Sequence, residues 1–407
     1  MNAPAGKKIT TKEEALRALV DEISIPLSYD EKARTRYRSI GEWLDRPAST
    51  IHGLGPVISS QGSFALGTVI RPVGDGDAYD VDVVCSLKHG SKSKMSQEEL
   101  KQAVGVEIHA YAKAQNMSNE PDDARRCWTL EYQDSANFHM DILPGIPARD
   151  DFTTQMRGYS PDVGLVQRLS ETAIGITDKK HPGYHFRGAE WLISNPKGYA
   201  GWFRLRQETV LEEARLRMNA KGRAYASVED IPSYEVRTPL QDAIKLLKRH
   251  RDVMFDGDKH KPISIIITTI AAEAYQGERT ISDTLKNILP KMERRIAALG
   301  DPAVISNPSY PRENFADKWG EVSEKRRNFE KWVSRARQDF LSYLTVSRFN
   351  EFPEPFKAAM TEATIRKVSP KLGLAAAMIA AGTTAAVAEA QKVEAEGNAT
   401  KPWLDIE

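Results

Sequence analysis

The chain has 407 residues, enough for two or three modules with full cores. Its 57 Lys and Arg almost cancel its 56 Asp and Glu, leaving a formal net charge of +1, which excludes the broad basic field of a dedicated nucleic-acid binder. Two cysteines, Cys85 and Cys127, supply neither a disulfide framework nor a zinc pattern, and the opening MNAPAGKKITTKEEAL has no apolar signal-peptide run; a reducing, cytoplasmic setting is the expectation.

Thr11 to Leu44 carries helical apolar spacing at Leu16, Leu19, Val20 and Ile23. Pro26 interrupts it, so a second helix is expected over Asp30–Leu44. Residues 54–143 supply strands, with a helix over Ser96–Asn116 between them. Within this region Gly62–Val84 reads GSFALGTVIRPVGDGDAYDVDVV. In an extended strand Asp80 and Asp82 share one face while Val81 and Val83 point into a core. Two carboxylates side by side repel, and such a pair persists where a cation sits between them; carboxylate oxygens suit Mg²⁺. Gly62 lets the backbone approach a polyphosphate, and N–H groups around Ser63 can hold its oxygens. The Gly-x4-Gly spacing of Gly62 and Gly67 lacks the lysine of a Walker loop. Asp75 and Asp77 lengthen the acidic run without the glycine and terminal Glu of an EF-hand, so Gly74–Asp77 reads as a turn. Phe64 and Leu66 read as core.

Cys127–Tyr132 and Phe138–Leu143 are strand-like runs joined by the turn-rich 133–137. His139 and Asp141 share a face, and Pro144-Gly145 is expected to end the strand. Paired beside Asp80–Val84, this strand would bring Asp141 to the same metals. Two ions on three carboxylates can clamp the attacking and leaving oxygens of an in-line displacement. A phosphate cradle beside a metal-binding strand is the equipment for nucleotidyl transfer.

Arg149–Pro196 reads as loop-rich, and the pattern is helical from Gly198 onward. Thr238-Pro239 is an N-cap followed by Pro at the first helical position. In the helix that follows, Lys245, Lys248 and Asp252 share one face; Leu240, Ile244 and Leu247 form another. His250 reads as a surface residue, and Trp191, Trp202, Trp319 and Trp332 as packing residues. Leu372–Val387 carries no charge but is too short and too weakly apolar for a membrane span, so a helix packed on the body is expected.

The series Gln61-Gly62-Ser63, Asp80-Val81-Asp82 and Asp141 resembles the DNA polymerase β-like nucleotidyltransferase superfamily. SNPKGYAGWF (Ser194–Phe203), LQDAIKLLKRHRD (Leu240–Asp252), KPISIIITTIAAEAY (Lys261–Tyr275) and ENFADKW (Glu313–Trp319) narrow the match. With them the chain is similar to the bacterial cyclic GMP-AMP synthase/DncV-like nucleotidyltransferases of anti-phage signalling, over about residues 10 to 345. The resemblance implies an α+β fold: a mixed-sheet palm with a long spine helix, plus a C-terminal helical lid. The expected division is residues 1–205 for the catalytic domain with its N-terminal helices, 206–350 for the lid and 351–407 for an Ala-rich helix and tail.

The resemblance also implies a Mg²⁺-dependent synthase, with two ions (Mn²⁺ as the alternative) on Asp80, Asp82 and Asp141. Gln61, Gly62 and Ser63 would hold phosphates, with Lys245 or Lys248 and Ser264 closing from the lid. Nucleoside triphosphates, ATP among them, would be joined into a cyclic di- or trinucleotide, with no membrane and no nucleic-acid template. Some relatives are switched on by HORMA-type proteins. A linear oligoadenylate or RNA-tail synthase and a catalytically silent nucleotide sensor remain as alternative functions.

Overall fold

In the computed structural model residues 9–74, 78–133, 137–160, 162–219, 236–348 and 350–372 are described. Asp75 and Asp77, and residues 373–387 of the uncharged stretch, lie outside them. No helix among the described residues is long and apolar enough to cross a membrane.

The chain opens with α1 (Lys12–Ile23), capped by the Thr11 hydroxyl, and α2 (Leu27–Leu44), which starts directly after Pro26. β1 (Pro56–Ser60), the short α3 (Gly62–Leu66) and β2 (Tyr79–Leu87) follow. α4 (Gln97–Ala114) is closed by a Ser96/Glu99 capping box. After β3 (Asp122–Asp123) and β4 (Trp128–Tyr132), the longest strand, β5, spans Phe138–Pro147. The five strands lie in the order β1-β2-β5-β4-β3, and only β2 with β5 is parallel. The sheet is therefore mixed.

β5 runs through Pro144-Gly145 instead of ending there. Proline is tolerated in a strand where no ladder bond is demanded of it. Pro144 falls between Ile142, the last residue paired with β4, and Gly145, the first paired with β6 (Ile174–Ile176). β7 (Leu192–Ser194) continues the sheet from β6. The stretch expected to be loop-rich thus holds these two strands and two short helices, α5 (Arg149–Met156) and α6 (Val163–Ser170). Each is too short to show a period in sequence.

The second half is helical: α7 (Pro196–Leu205), α8 (Glu208–Asn219), α9 (Pro239–Met254), α10 (Ser264–Ala274) and α11 (Ile281–Ala297). A small hairpin of β8 (Ser306–Asn307) and β9 (Tyr310–Asn314) precedes α12 (Ser323–Thr345), α13 (Glu354–Met360) and α14 (Glu362–Val368). α9 is the axis of this half. Its N-terminus carries the expected Thr238 cap, with Gln241 completing a capping box and Pro239 at the first position, and every residue from Pro239 to Arg251 is buried. His250, expected on the surface, is 1 % exposed and bonds through Nε2 to Asp339 of α12 at 3.2 Å.

Two large apolar cores result. One joins α2 and α4 to the sheet through residues such as Tyr37, Ile40, Val83, Ile108 and Met140. The other gathers the helical half around Leu240, Ile244, Ile270, Leu285, Trp332 and Phe340. The sequence grouped both N-terminal helices with the catalytic module, but Leu16, Leu19, Val20 and Ile23 of α1 belong to the helical core, as do Tyr199 and Phe203 of α7. Pro26 is the reason: it ends one helix and starts the next, so each apolar face finds a different core.

Candidate active site

The register of β2 against β5 decides the site. Asp80 lies opposite His139 and Asp82 opposite Asp141, so the acidic positions of both strands come side by side on one face. The valines between them, Val81 and Val83, are buried in the sheet core. Gln61 donates its backbone N–H to the Asp82 carbonyl at 2.9 Å, tying the start of α3 to the same strand. Gly62 follows at φ +59, a conformation that favours glycine. A Cβ at this position would stand 2.0 Å from Asp82 Oδ2, so the cradle backbone rests directly on the carboxylate.

These groups line one wall of a cleft of about 490 Å³ that holds Gly62, Ser63, Asp80 and Asp82. Lys248, Arg251, Lys261 and Ser264 line it too. Asp141 and Gln61 flank the cleft rather than line it. Lys248 reaches it from α9, and Ser264 is the first residue of α10. Burial, then the charges of Asp141 and Asp80, push the Asp82 carboxyl up to about 6. Burial and Asp141 raise Asp80 as well, against the pull of His139, Lys248 and Lys261. Like charges held this close raise one another's affinity for a proton, and a metal cation answers the same deficit. Burial and the Asp141 charge push the Cys127 thiol up to about 11. Among the described residues no group of three or more His, Cys, Asp or Glu side chains is already gathered to hold a metal ion. Asp80 and Asp82 line the cleft with Asp141 on the adjacent strand, and carboxylate oxygens of this kind are the donors a hard divalent cation takes.

The two lysines of α9 part company. Lys248 lines the cleft, and its ammonium, pushed down to about 8 by burial, donates to the Thr68 carbonyl at 2.9 Å. Lys245 lies outside the cleft and points to Ser24 Oγ at 3.3 Å, at the break between α1 and α2. It therefore does not line the cleft, although one-face spacing placed it beside Lys248. The rest of that face is occupied with the backbone of residues 66–72: Gln241 bonds the Leu66 carbonyl at 2.9 Å and Arg249 the Arg71 carbonyl at 2.5 Å. α9 thus holds the segment leading from the cradle toward β2.

The sequence reading missed Arg251 and Lys261. Arg251 Nη1 donates to Ser264 Oγ at 2.8 Å and to the Pro262 carbonyl at 2.9 Å, so the serine hydroxyl is already held by a cation. Arg251 stands three residues after Lys248, the same helical spacing that singled out the lysines, and could have been found by extending it one turn.

Fold and site together define a nucleotidyltransferase: a mixed sheet presenting carboxylates on adjacent strands, a glycine-serine turn against them, and cations across the cleft. Residues 56–144 match the family described as "Cyclic GMP-AMP synthase DncV-like, nucleotidyltransferase domain". The chain is similar to a c-di-GMP synthase of Roseivirga ehrenbergii, 28% identical over 334 residues, covering 81% of this chain and 79% of the relative. In fold it is similar to the CD-NTase CdnG of Bradyrhizobium diazoefficiens, solved in complex with GTP, with a TM-score of 0.64 at 20% identity, covering 89% of this chain and 99% of that one. The E. coli MS115-1 CdnC:HORMA-deltaN complex matches at a TM-score of 0.56 and 13% identity, covering 88% of this chain and 98% of the other.

Proposed function

We propose that the chain joins nucleoside triphosphates into a cyclic di- or trinucleotide messenger, with guanine among its bases, and releases pyrophosphate. The observation that carries this is the row formed by Asp82 opposite Asp141, with Gly62 seated on Asp82 at the mouth of a cleft that Lys248 enters from the other side. The guanine preference is supported by the similarity to a c-di-GMP synthase and to a CD-NTase that binds GTP.

Asp80 and Asp82 would hold two divalent ions, Mg²⁺ in the cell with Mn²⁺ as a substitute, and Asp141 would complete the set for the first. Bound there, the ions supply charge neutralisation for the attacking ribose hydroxyl and for the departing pyrophosphate. The chain's own groups do the positioning. Backbone N–H groups of Gly62 and Ser63 present a turn to the β- and γ-phosphates, and Gln61 anchors that turn through its own N–H on the Asp82 carbonyl. Lys248, Lys261 and the Arg251–Ser264 pair line the same cleft and would neutralise the phosphates from the side opposite the carboxylates. The hydroxyl oxygen forms a bond to the α-phosphorus as the bond to pyrophosphate breaks, and the hydroxyl proton leaves to solvent. Repeating the step within the linear intermediate closes the ring. Most of the rate gain on this account is orientation and charge stabilisation.

The functional halves are the sheet module and the helical body, with α1 and α7 counted in the latter. The free thiols of Cys85 and Cys127 agree with a reducing, cytoplasmic setting. A role in anti-phage defence, under a HORMA-type regulator, completes the proposal; the similarity to the CdnC:HORMA complex supports it. Incubating the purified chain with all four triphosphates and Mg²⁺, then taking a mass spectrum, tests the central claim. A cyclic product formed without primer or template is expected. A linear oligoadenylate, or dependence on an added RNA 3′ end, would move the chain to the tailing class. No pyrophosphate under any condition, HORMA partner included, would make it a silent sensor.

A further inference from the structure

We infer that Thr129 is a positioning residue for the third carboxylate, holding Asp141 in line with Asp82 before a cation arrives. The inference rests on the metal-site reading above and deepens it. β4 pairs with β5 so that Thr129 stands opposite Asp141, just as Asp82 stands opposite Asp141 from the other side. A single row, Asp82–Asp141–Thr129, therefore crosses three strands. Thr129 Oγ1 donates to Asp141 Oδ1 at 2.5 Å.

The carboxylate needs such a partner. An Asp carboxyl rotates broadly about its last torsion, and repulsion from Asp82 and Asp80 favours swinging it out of the row. A hydroxyl bound to a carboxylate makes a short, charge-assisted hydrogen bond. It sits on the side of Asp141 away from Asp82, so it occupies one oxygen and leaves the other for the site. Threonine suits the task because its β-branch stiffens the side chain and presents the hydroxyl at little entropic cost. Groups behind metal ligands characteristically act this way, and losing one costs about 10- to 100-fold in metal affinity.

The test is Mn²⁺ binding to the purified full chain, read by electron paramagnetic resonance of the free ion without nucleotide. Thr129→Val keeps shape and strand preference while removing the donor, and should weaken Mn²⁺ binding about 10- to 100-fold. Thr129→Ser should bind as the parent chain does. Asp141→Asn should lose at least as much as Thr129→Val. Thermal unfolding verifies the fold of each variant, and Thr129→Ala replaces the valine variant, with the same expectation, if that one fails to fold. If Asp141→Asn weakens binding but Thr129→Val does not, the inference falls and the metal site stands. Failure of serine to restore binding removes the hydroxyl as the agent and overturns the inference as well. If Asp141→Asn binds Mn²⁺ unchanged, the metal-site reading itself falls and carries the inference with it.

Discussion

The acidic wall and the basic wall of the cleft are built on opposite principles. On β2 and β5, strand register forces like charges together, and among the described contacts Asp141 has Thr129 while no cation in the chain pairs with Asp80 or Asp82. On α9 the cations are nearly all spent: Lys245 on Ser24, Arg249 on the Arg71 carbonyl, Arg251 on Ser264 and the Pro262 carbonyl. Lys248 holds backbone, at Thr68, and stands in the cleft near Asp82. The contrast teaches where to look for function on a charged surface. Charges held apart from their counter-ions mark the reacting site, and charges satisfied by carbonyls mark its scaffold.

The largest effect expected from this contrast comes from Asp80→Asn with Asp82→Asn. Losing metal-borne stabilisation of several kcal/mol should lower turnover by about a thousandfold or more. Thermal unfolding should show an equally or more stable fold, since a repelling pair has been neutralised. Retained pyrophosphate release in the double variant would erase the distinction between the walls.

Next is Gly62→Ala. The new Cβ meets Asp82 Oδ2 and the backbone holds a positive φ, so both the cradle and the carboxylate must move. A stability loss of about 1–3 kcal/mol is expected in urea unfolding, together with lost activity. An active, stable alanine variant would show that the cradle does not rest on Asp82.

The two lysines sharpen the comparison within one helix. Lys248→Ala should lower kcat/KM about ten- to a hundredfold, the worth of one ammonium–phosphate contact. Lys245→Ala should leave the KM for triphosphate unchanged and instead cost roughly 1–3 kcal/mol of stability, because it strips buried Asp242 of a neighbouring charge. The reverse pattern would reassign the phosphate contact.

The smallest effect is a pH dependence. The Asp82 carboxyl titrates at about 6 in the folded chain, above its ordinary 3.8. Between those values the folded state binds more protons than the unfolded one, so without metal the stability should fall as pH rises from about 4 to 6. Divalent cations should therefore raise Tm more at pH 7.5 than at pH 5. Asp82→Asn should flatten both trends.

The carboxylates and the glycine-serine turn were legible because their signals are local: a period of two along a strand and a turn residue with one conformational use. Alternation placed Asp141 on one face of the second acidic strand, and the observed pairing with Asp80–Val84 brings it opposite Asp82. What the sequence concealed depends on distant chain. A helix spacing of three put Lys245 and Lys248 on one face, yet Ser24 and Thr68, far away in sequence, decide which lysine meets the cleft. His250 looked solvated because nothing nearby announces Asp339, 89 residues on. Pro144 looked like a stop because the gap between β4 and β6 that tolerates it exists only in the assembled sheet. α1 showed its apolar face plainly, but not which of two cores would receive it.

The parallel register of β2 with β5 also governs when the molecule becomes capable of work. Asp82 and Asp141 are 59 residues apart in the chain (141 − 82), with α4, β3 and β4 between them. Loop closure must precede the contact, and parallel pairings of this kind form late in folding. During synthesis, at about 5–20 residues per second, a nascent chain carries Asp80 and Asp82 for several seconds before Asp141 exists. Fragments that end before β5 carry the phosphate turn and two of the acids but cannot assemble the row. The topology therefore delays the acidic row until the sheet has closed.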